Sequence, residues 1–349
     1  MMNNKPILGI TMGDPSGIGP EIAVKALCLK KIYEICHPLL IGDARVIEKT
    51  VKEAVKRHDM TIHAVSSVNE CKFVYGTIDV YDLRNVEIEK LRIGAVDAMS
   101  GHAAFTSVIK GIELAMAGEI DAIVTNPVNK EALNLAGHRF AGHTEIFAVY
   151  TGTKQYAMML AEGTFRVVHV STHVSLREAC DKVKKERVLQ VIELAHTTCQ
   201  RLGIAEPKIA VAGLNPHAGE NGLFGREEID EIIPAIEAAA TKGIHVEGPI
   251  PPDTVFAKAR GGLFDMVVAM YHDQGHIPFK VLGFQYDKSA EKWQDIKGVN
   301  ITLGLPIIRS SVDHGTAFDL AWQGVANESS LVSAIEYGVM LAVNKVVPC

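Results

Sequence analysis

The chain has 349 residues, of which 48% are hydrophobic and 22% charged, and its 35 Lys and Arg against 41 Asp and Glu leave a formal charge of −6. That length suits two domains sharing a cleft, and the balance argues against a nucleic-acid or anionic-membrane partner. Any site for an anionic ligand must then be a local concentration of Lys, Arg and helix N-termini.

Taken in chain order, short apolar runs of β type recur, each followed by Gly, Pro, Asn or Asp and then by a helical pattern. They are ILGITM (7–12), HPLLIGD (37–43), AIVTNPV (122–128), RVVHVST (166–172), KIAVAGLNP (208–216) and MVVAMYHD (266–273). Between the fourth and fifth, the stretch from Ser175 to Gly203 reads as a single helix. It opens with a capping box, Ser175 and Glu178, and Leu176, Cys180, Val183, Val191, Leu194 and Ala195 share one face. Strands alternating with helices predict an α/β fold with parallel-rich sheets covered on both faces. The segment 283–298 breaks the pattern with charged residues and two aromatics, and reads as a surface hairpin or loop.

Cys28, Cys36, Cys71, Cys180, Cys199 and Cys349 form no C-x-x-C pair, so reduced thiols are expected rather than a disulfide framework or a cysteine zinc site. No stretch approaches the roughly 20 apolar residues of a membrane span. The opening MMNNKPILGITMGDP has too short an apolar run for a signal peptide, and a cytoplasmic location is expected.

In open α/β sheets ligands bind beyond the carboxyl ends of strands. Here those ends are the polar ones: GDPSG, TNPVNK, STHVS, LNPHAGE and YHDQGH. His173, His217 and His272 each follow a different predicted strand. A parallel sheet would gather them along one edge, as three imidazoles able to hold a divalent metal, with Asp273 and the Gln274 amide orienting them. A strand-end His taken alone is more often a hydrogen-bonded structural residue.

Together these stretches resemble the 4-hydroxythreonine-4-phosphate dehydrogenase family. The resemblance is carried by ITMGDPSGIGPEI (10–22), TNPVNK (125–130), GHTEIFA (142–148), STHVSL (171–176), GLNPHAGENGLFGREE (213–228), GPIPPDTVF (248–256), AMYHDQGHIPFK (269–280) and the segment 298–324. It implies a homodimer with shared active sites, a divalent metal on three histidines, and NAD(P)-dependent oxidation of a phosphorylated 3-hydroxy acid followed by loss of CO2. By the same resemblance His173, His217 and His272 are metal ligands. His143, Thr144, Lys280, Asn300 and Arg309 contact substrate, with Lys280 also counted among the catalytic groups. Asp253, behind a double proline, is the expected general acid or base, its bland alternative being a helix N-cap. Imidazoles suit zinc, cobalt or manganese, with magnesium less usual.

MGDPSGIGPE does not match G-x-G-x-x-G, and an ordinary dinucleotide fingerprint is not supported. It is similar instead to the G-D-G-I-G-P-E turn of isopropylmalate and isocitrate dehydrogenases, which implies their two-domain fold and places Gly13 and Asp14 on the cofactor side. The loop DHGTAFDLAWQGVAN (313–327) is similar to the adenosine-holding loop of the NAD-using members of that group. On that likeness His314 lies against adenine, Asp319 takes the ribose hydroxyl, and Asn327 closes the loop. An acid at 319 repels a 2′-phosphate, so NAD is expected over NADP.

The longer connection at 283–298 resembles the branch acting on D-threonate or D-erythronate 4-phosphate, with 4-hydroxy-L-threonine 4-phosphate, a vitamin B6 precursor, as the alternative substrate. A metal-dependent hydrolase is the rival of a different class; it would have no use for an adenosine-type loop. The expected domains are 1–128 with 305–349 on the cofactor side, and 129–304 for metal, substrate and dimer contact.

Overall fold

The computed structural model describes residues 5–283, 286–287, 292–293 and 297–344. The chain forms two compact units, one from Met1–Thr153 and Leu305–Val343, the other from Lys154–Gly304 with Asn344.

The first unit carries strands β1 (Ile7–Thr11), β2 (His37–Gly42), β3 (Thr61–Val65), β4 (Thr77–Asp82) and β5 (Ala122–Thr125). Its helices up to Thr153 are α1 (Gly19–Leu27), α2 (Lys30–Ile35), α3 (Ala44–Lys49), α4 (Ala98–Met116), α5 (Lys130–Leu135) and α6 (His143–Tyr150). In the second unit are β6 (Ala157–Glu162), β7 (Phe165–His169), α7 (Leu176–Lys182), α8 (Lys185–Arg201), β8 (Ile209–Ala212), α9 (Ile233–Thr241), β9 (Val246–Ile250), α10 (Pro252–Arg260), β10 (Met266–Ala269), α11 (His272–Gly283), the two-residue β11 (Tyr286–Asp287) and β12 (Lys292–Trp293), and β13 (Val299–Leu303). The chain then returns to the first unit as β14 (Arg309–Val312) and α12 (Ser329–Val343).

Six strands of the first unit pair in the order β3-β4-β2-β1-β5-β14, every pair parallel. The second unit orders its strands β13-β6-β7-β10-β8-β9; β6 runs antiparallel to both neighbours and the other pairs are parallel. The expected α/β class with parallel-rich sheets therefore holds. Parallel strands covered on both faces must be apolar throughout, and IAVA of β8 and MVVA of β10 are buried at every position. Each unit has its own core. Leu39, Ile41, Ile123, Phe105, Val108 and Phe147 belong to the first, and Val167, Ala210, Val255, Val267 and Phe279 to the second. Fully burying a Val, Leu, Ile or Phe side chain among these stabilises by about 1.5–3 kcal/mol.

The single helix expected from Ser175 to Gly203 is two helices. Ser175 Oγ accepts from the Glu178 N–H, but Val183 (ψ 91°) and Lys184 (ψ 144°) are extended and break the run. The break is stabilised from outside: Glu231 accepts from the Lys185 N–H at 2.8 Å and pairs with the Lys184 ammonium at 3.0 Å, satisfying the new helix start. Val183, Val191 and Ala195 are buried as expected, whereas Leu176 is 65% exposed. In 283–298, β11 and β12 pair antiparallel, in line with a hairpin; the rest of that expectation lies outside the described residues.

Candidate active site

The strand ends of the second unit carry the histidines. β7, β10 and β8 are adjacent and parallel, so His173, His272 and His217 leave neighbouring strand ends, as the topology argument required. Two of the three rings stand beside each other. His173 and His272 lie 5.8 Å apart between centroids, and two imidazoles sharing a tetrahedral ion at about 2.0–2.1 Å would be roughly 5 Å apart. His217 sits on the loop after β8, its Nδ1 3.1 Å from a Glu220 carboxylate oxygen and its ring edge-on to Phe224. Among the described residues no three His, Cys, Asp or Glu side chains form a metal-binding group, so the expected convergence of all three imidazoles is not present in this conformation. The reason is local: His217 to Asn221 all have positive φ, and this left-handed run turns the loop onto itself.

The chemistry of the donors fits a divalent ion nonetheless. His272 Nδ1 lies 2.7 Å from Asp273 Oδ1, and a carboxylate accepts, so that nitrogen carries the hydrogen and Nε2 keeps the lone pair. Glu220 does the same for His217. Carboxylate-to-imidazole pairs of this kind orient metal ligands. The Gln274 amide is bonded to backbone groups. It is buried, accepts from the Met270 N–H and donates to Gly213 O, both at 2.7 Å, and so ties the His272 turn to the base of the His217 loop. The interior of that loop closes on buried Glu228, which accepts from the Leu214 and Asn215 N–H groups at 2.7 and 2.8 Å.

Two histidines that sequence reasoning left without a role stand beside this pair. His276 follows His272 by one helical turn, and their rings stack at 3.6 Å with 10° between planes. His169, at the end of β7 and 1% exposed, lies 3.1 Å from His276. Burial and neighbouring imidazoles hold His169 down to about 3 and His276 to about 4, so both are neutral near pH 7. The spacing of His272, His276 and Lys280 at i, i+4 and i+8 was the available signal, since α11 places them along one face.

Asn300 is half-buried on β13, opposite Leu160. Asp253 is exposed in the first turn of α10, whose N-cap is Pro251; the N-cap alternative for Asp253 is therefore corrected.

In the first unit Arg309 is 3% exposed, donates to Thr125 Oγ1 at 2.9 Å and lies over the Phe147 ring at 5.5 Å. Burial lowers its guanidinium to about 9, which leaves it charged at neutral pH. His143 opens α6, and burial followed by the Arg309 charge holds its imidazole well below its ordinary range. Its Nε2 is buried with no hydrogen-bond partner among the described residues, as a ligand-facing atom would be. Gly142 is the N-cap of α6, and Thr144 is its half-buried second residue.

The two stretches expected on the cofactor side pack together. Gly13 has φ +74°, and a side chain there would strike Pro127 O, so the turn after β1 needs glycine. Asp14 is fully buried and accepts from the Ser16 N–H; burial raises its carboxyl to about 7. Against this turn lies the 313–327 loop: Thr316 O accepts from the Ile18 N–H, and Trp322 Nε1 donates to Pro15 O at 3.1 Å. Buried Glu21 accepts from the Gly324 and Ala326 N–H groups while Lys25 donates to both carbonyls, which pins the far end of the loop. His314 is half-buried with Nδ1 3.1 Å from Gly315 O, and Asp319 is exposed. Asn327, two residues before α12, accepts from the Ser329 N–H at 2.7 Å.

Comparison with known proteins places this chain. The family model described as pyridoxal phosphate biosynthetic protein PdxA matches residues 34–338. The D-threonate 4-phosphate dehydrogenase of Cupriavidus necator is 48% identical over 346 residues, 99% of this chain and 100% of that protein. Among solved structures, the 4-hydroxythreonine-4-phosphate dehydrogenase of Klebsiella pneumoniae aligns with a TM-score of 0.84 at 43% identity, covering 97% of this chain and 100% of that one. The enzyme of the same name from Burkholderia phymatum aligns at 0.83 and 45%, covering 97% and 99%. With a family model over residues 34–338, matching extents and a shared fold, the chain belongs to the PdxA family.

Proposed function

We propose that this protein is a dehydrogenase that oxidises a phosphorylated 3-hydroxy acid of the D-threonate or D-erythronate 4-phosphate type, with NAD preferred over NADP, and that the 3-keto product loses CO2. The observation that carries the reading is the 48% identity, over essentially the whole of both chains, to a relative named for D-threonate 4-phosphate. A second reading, oxidation of 4-hydroxy-L-threonine 4-phosphate, is favoured by the names of the two solved structures. The two substrates differ by a hydroxyl in place of an amine.

His173 and His272 would hold a divalent ion, with His217 as the third ligand once its loop turns inward. Such an ion would polarise the hydroxyl and carboxylate of the substrate. Arg309 supplies a buried fork, charged at neutral pH, for an anionic group, and Lys280 a point charge for another. His143, neutral beside Arg309, offers one ring nitrogen to the substrate, with Thr144 and Asn300 as further polar contacts. Asp253 is the proposed general acid or base. Gly13, Asp14 and the 313–327 loop, with His314, Asp319 and Asn327, are the proposed nicotinamide-cofactor side. A homodimer is part of the reading.

Absorbance of NADH is followed with D-threonate 4-phosphate, D-erythronate 4-phosphate and 4-hydroxy-L-threonine 4-phosphate, each with NAD and with NADP, before and after chelation and metal return. Turnover of one substrate that chelation abolishes and metal restores is expected. No reduction of either cofactor with any of the three refutes the reading, and equal efficiency with NADP refutes the role of Asp319.

A further inference from the structure

We propose that His169 and His276 form a pedestal of fixed tautomer that sets the ring of His272, making them positioning residues for the ion; the inference rests on the metal reading above. His276 Nδ1 lies 3.0 Å from His272 O. A carbonyl only accepts, so this nitrogen carries the hydrogen. The same N–H is 3.1 Å from His169 Nε2, which must then be the lone-pair nitrogen. His169 in turn carries its hydrogen on Nδ1, and Met158 O stands 3.1 Å away to accept it. The orientation of both rings is thus fixed between β6 and β7 on one side and the helix α11 on the other, with no freedom to invert.

The consequence falls on His272. The face of its ring lies on His276, nearly parallel at 3.6 Å, and its Nδ1 edge is held by Asp273. Face and edge being fixed, Nε2 has one direction left, and the His173 ring lies 5.8 Å from that of His272. The helix can approach this closely because position 275 is glycine: a side chain there would enter the His169 ring. A phenylalanine ring at position 169 or 276 would fill the same space but would remove the hydrogen bond that orients the pair.

Two measurements test the pedestal. In metal-free protein labelled with 15N-histidine, long-range proton–nitrogen correlation should find the hydrogen on Nδ1 of both His169 and His276; a hydrogen on Nε2 of either overturns the proposal. Calorimetric titration with Co2+ should show one site in the wild type and none in His272→Ala. Binding should be about tenfold weaker in His169→Phe and His276→Phe, and largely recovered in His169→Gln, which returns an acceptor to His276. Wild-type affinity in both Phe variants overturns the pedestal while leaving the metal reading intact. Absence of Co2+ binding by the wild type overturns the metal reading first, and the pedestal with it. The tautomer measurement needs no variant, so a Phe protein that fails to fold does not shelter the idea.

Discussion

Replacing Asp14 by asparagine should remove a steep dependence of stability on pH. Asp14 has no exposed surface, one oxygen accepts from the Ser16 N–H at 2.9 Å, and the other has no partner among the described residues. Burial, aided by the nearby Asp97 charge and opposed by the Ser16 hydrogen bond, raises the carboxyl from 3.8 to about 7. The native state therefore keeps this proton at a pH where the unfolded chain has released it. The contribution is fully present below pH 3.8, declines through the interval, and is lost once the pH passes 7. At about 1.36 kcal/mol per pH unit the interval amounts to roughly 4 kcal/mol. An amide in place of the carboxyl keeps the acceptor for Ser16 and has no proton to lose. Chemical denaturation followed by Trp322, which is bonded to the same turn through Pro15, should show the wild type losing on the order of 4 kcal/mol relative to Asp14→Asn between about pH 4 and pH 8. Parallel stability profiles for the two proteins would refute the reasoning.

Three further outcomes are expected. Arg309→Met should lower kcat/KM for the phosphorylated substrate by about 10- to 100-fold, with no rescue by Arg309→Lys, because a lysine cannot reproduce the fork held between Thr125 and Phe147; steady-state kinetics decide it. Glu21→Gln, which weakens the clamp on Gly324 and Ala326, should raise KM for the nicotinamide cofactor severalfold while kcat at saturation stays near wild type. A fall in kcat alone would contradict the loop's role as a binding element. Glu231→Ala strips the start of α8 of its external acceptor and should cost about 1 kcal/mol in an unfolding titration, without affecting the substrate KM.

Much of the architecture was legible because its causes are local. The six apolar runs read as strands contain strands, since each is a short unbroken apolar stretch ended by turn residues. β14 was not recognisable, and its sequence RSSV explains why. Arg309, Ser310 and Ser311 are fully or nearly buried, and a strand of buried polar groups looks like a loop until Thr125 and Ala334 O are there to receive them. The break at Val183–Lys184 was hidden for a similar reason, because the group that satisfies it, Glu231, is 46 residues away from Lys185. His169 sits inside RVVHV and looks like a strand residue; its part in the histidine cluster depends on α11 packing against β7.

The sequence by itself determined the alternation of strands and helices, the polar strand ends, and the identities of the side chains held there, because periodicity and turn chemistry act over a few residues. Only the tertiary structure decided which of those side chains meet. It set His173 beside His272 and left His217 folded onto Glu220, buried Arg309 against Phe147, and joined the Gly13 turn to the 313–327 loop. Most of those contacts join residues tens to hundreds of positions apart, and strand order together with long-range hydrogen bonds, which no local pattern encodes, brings them into range.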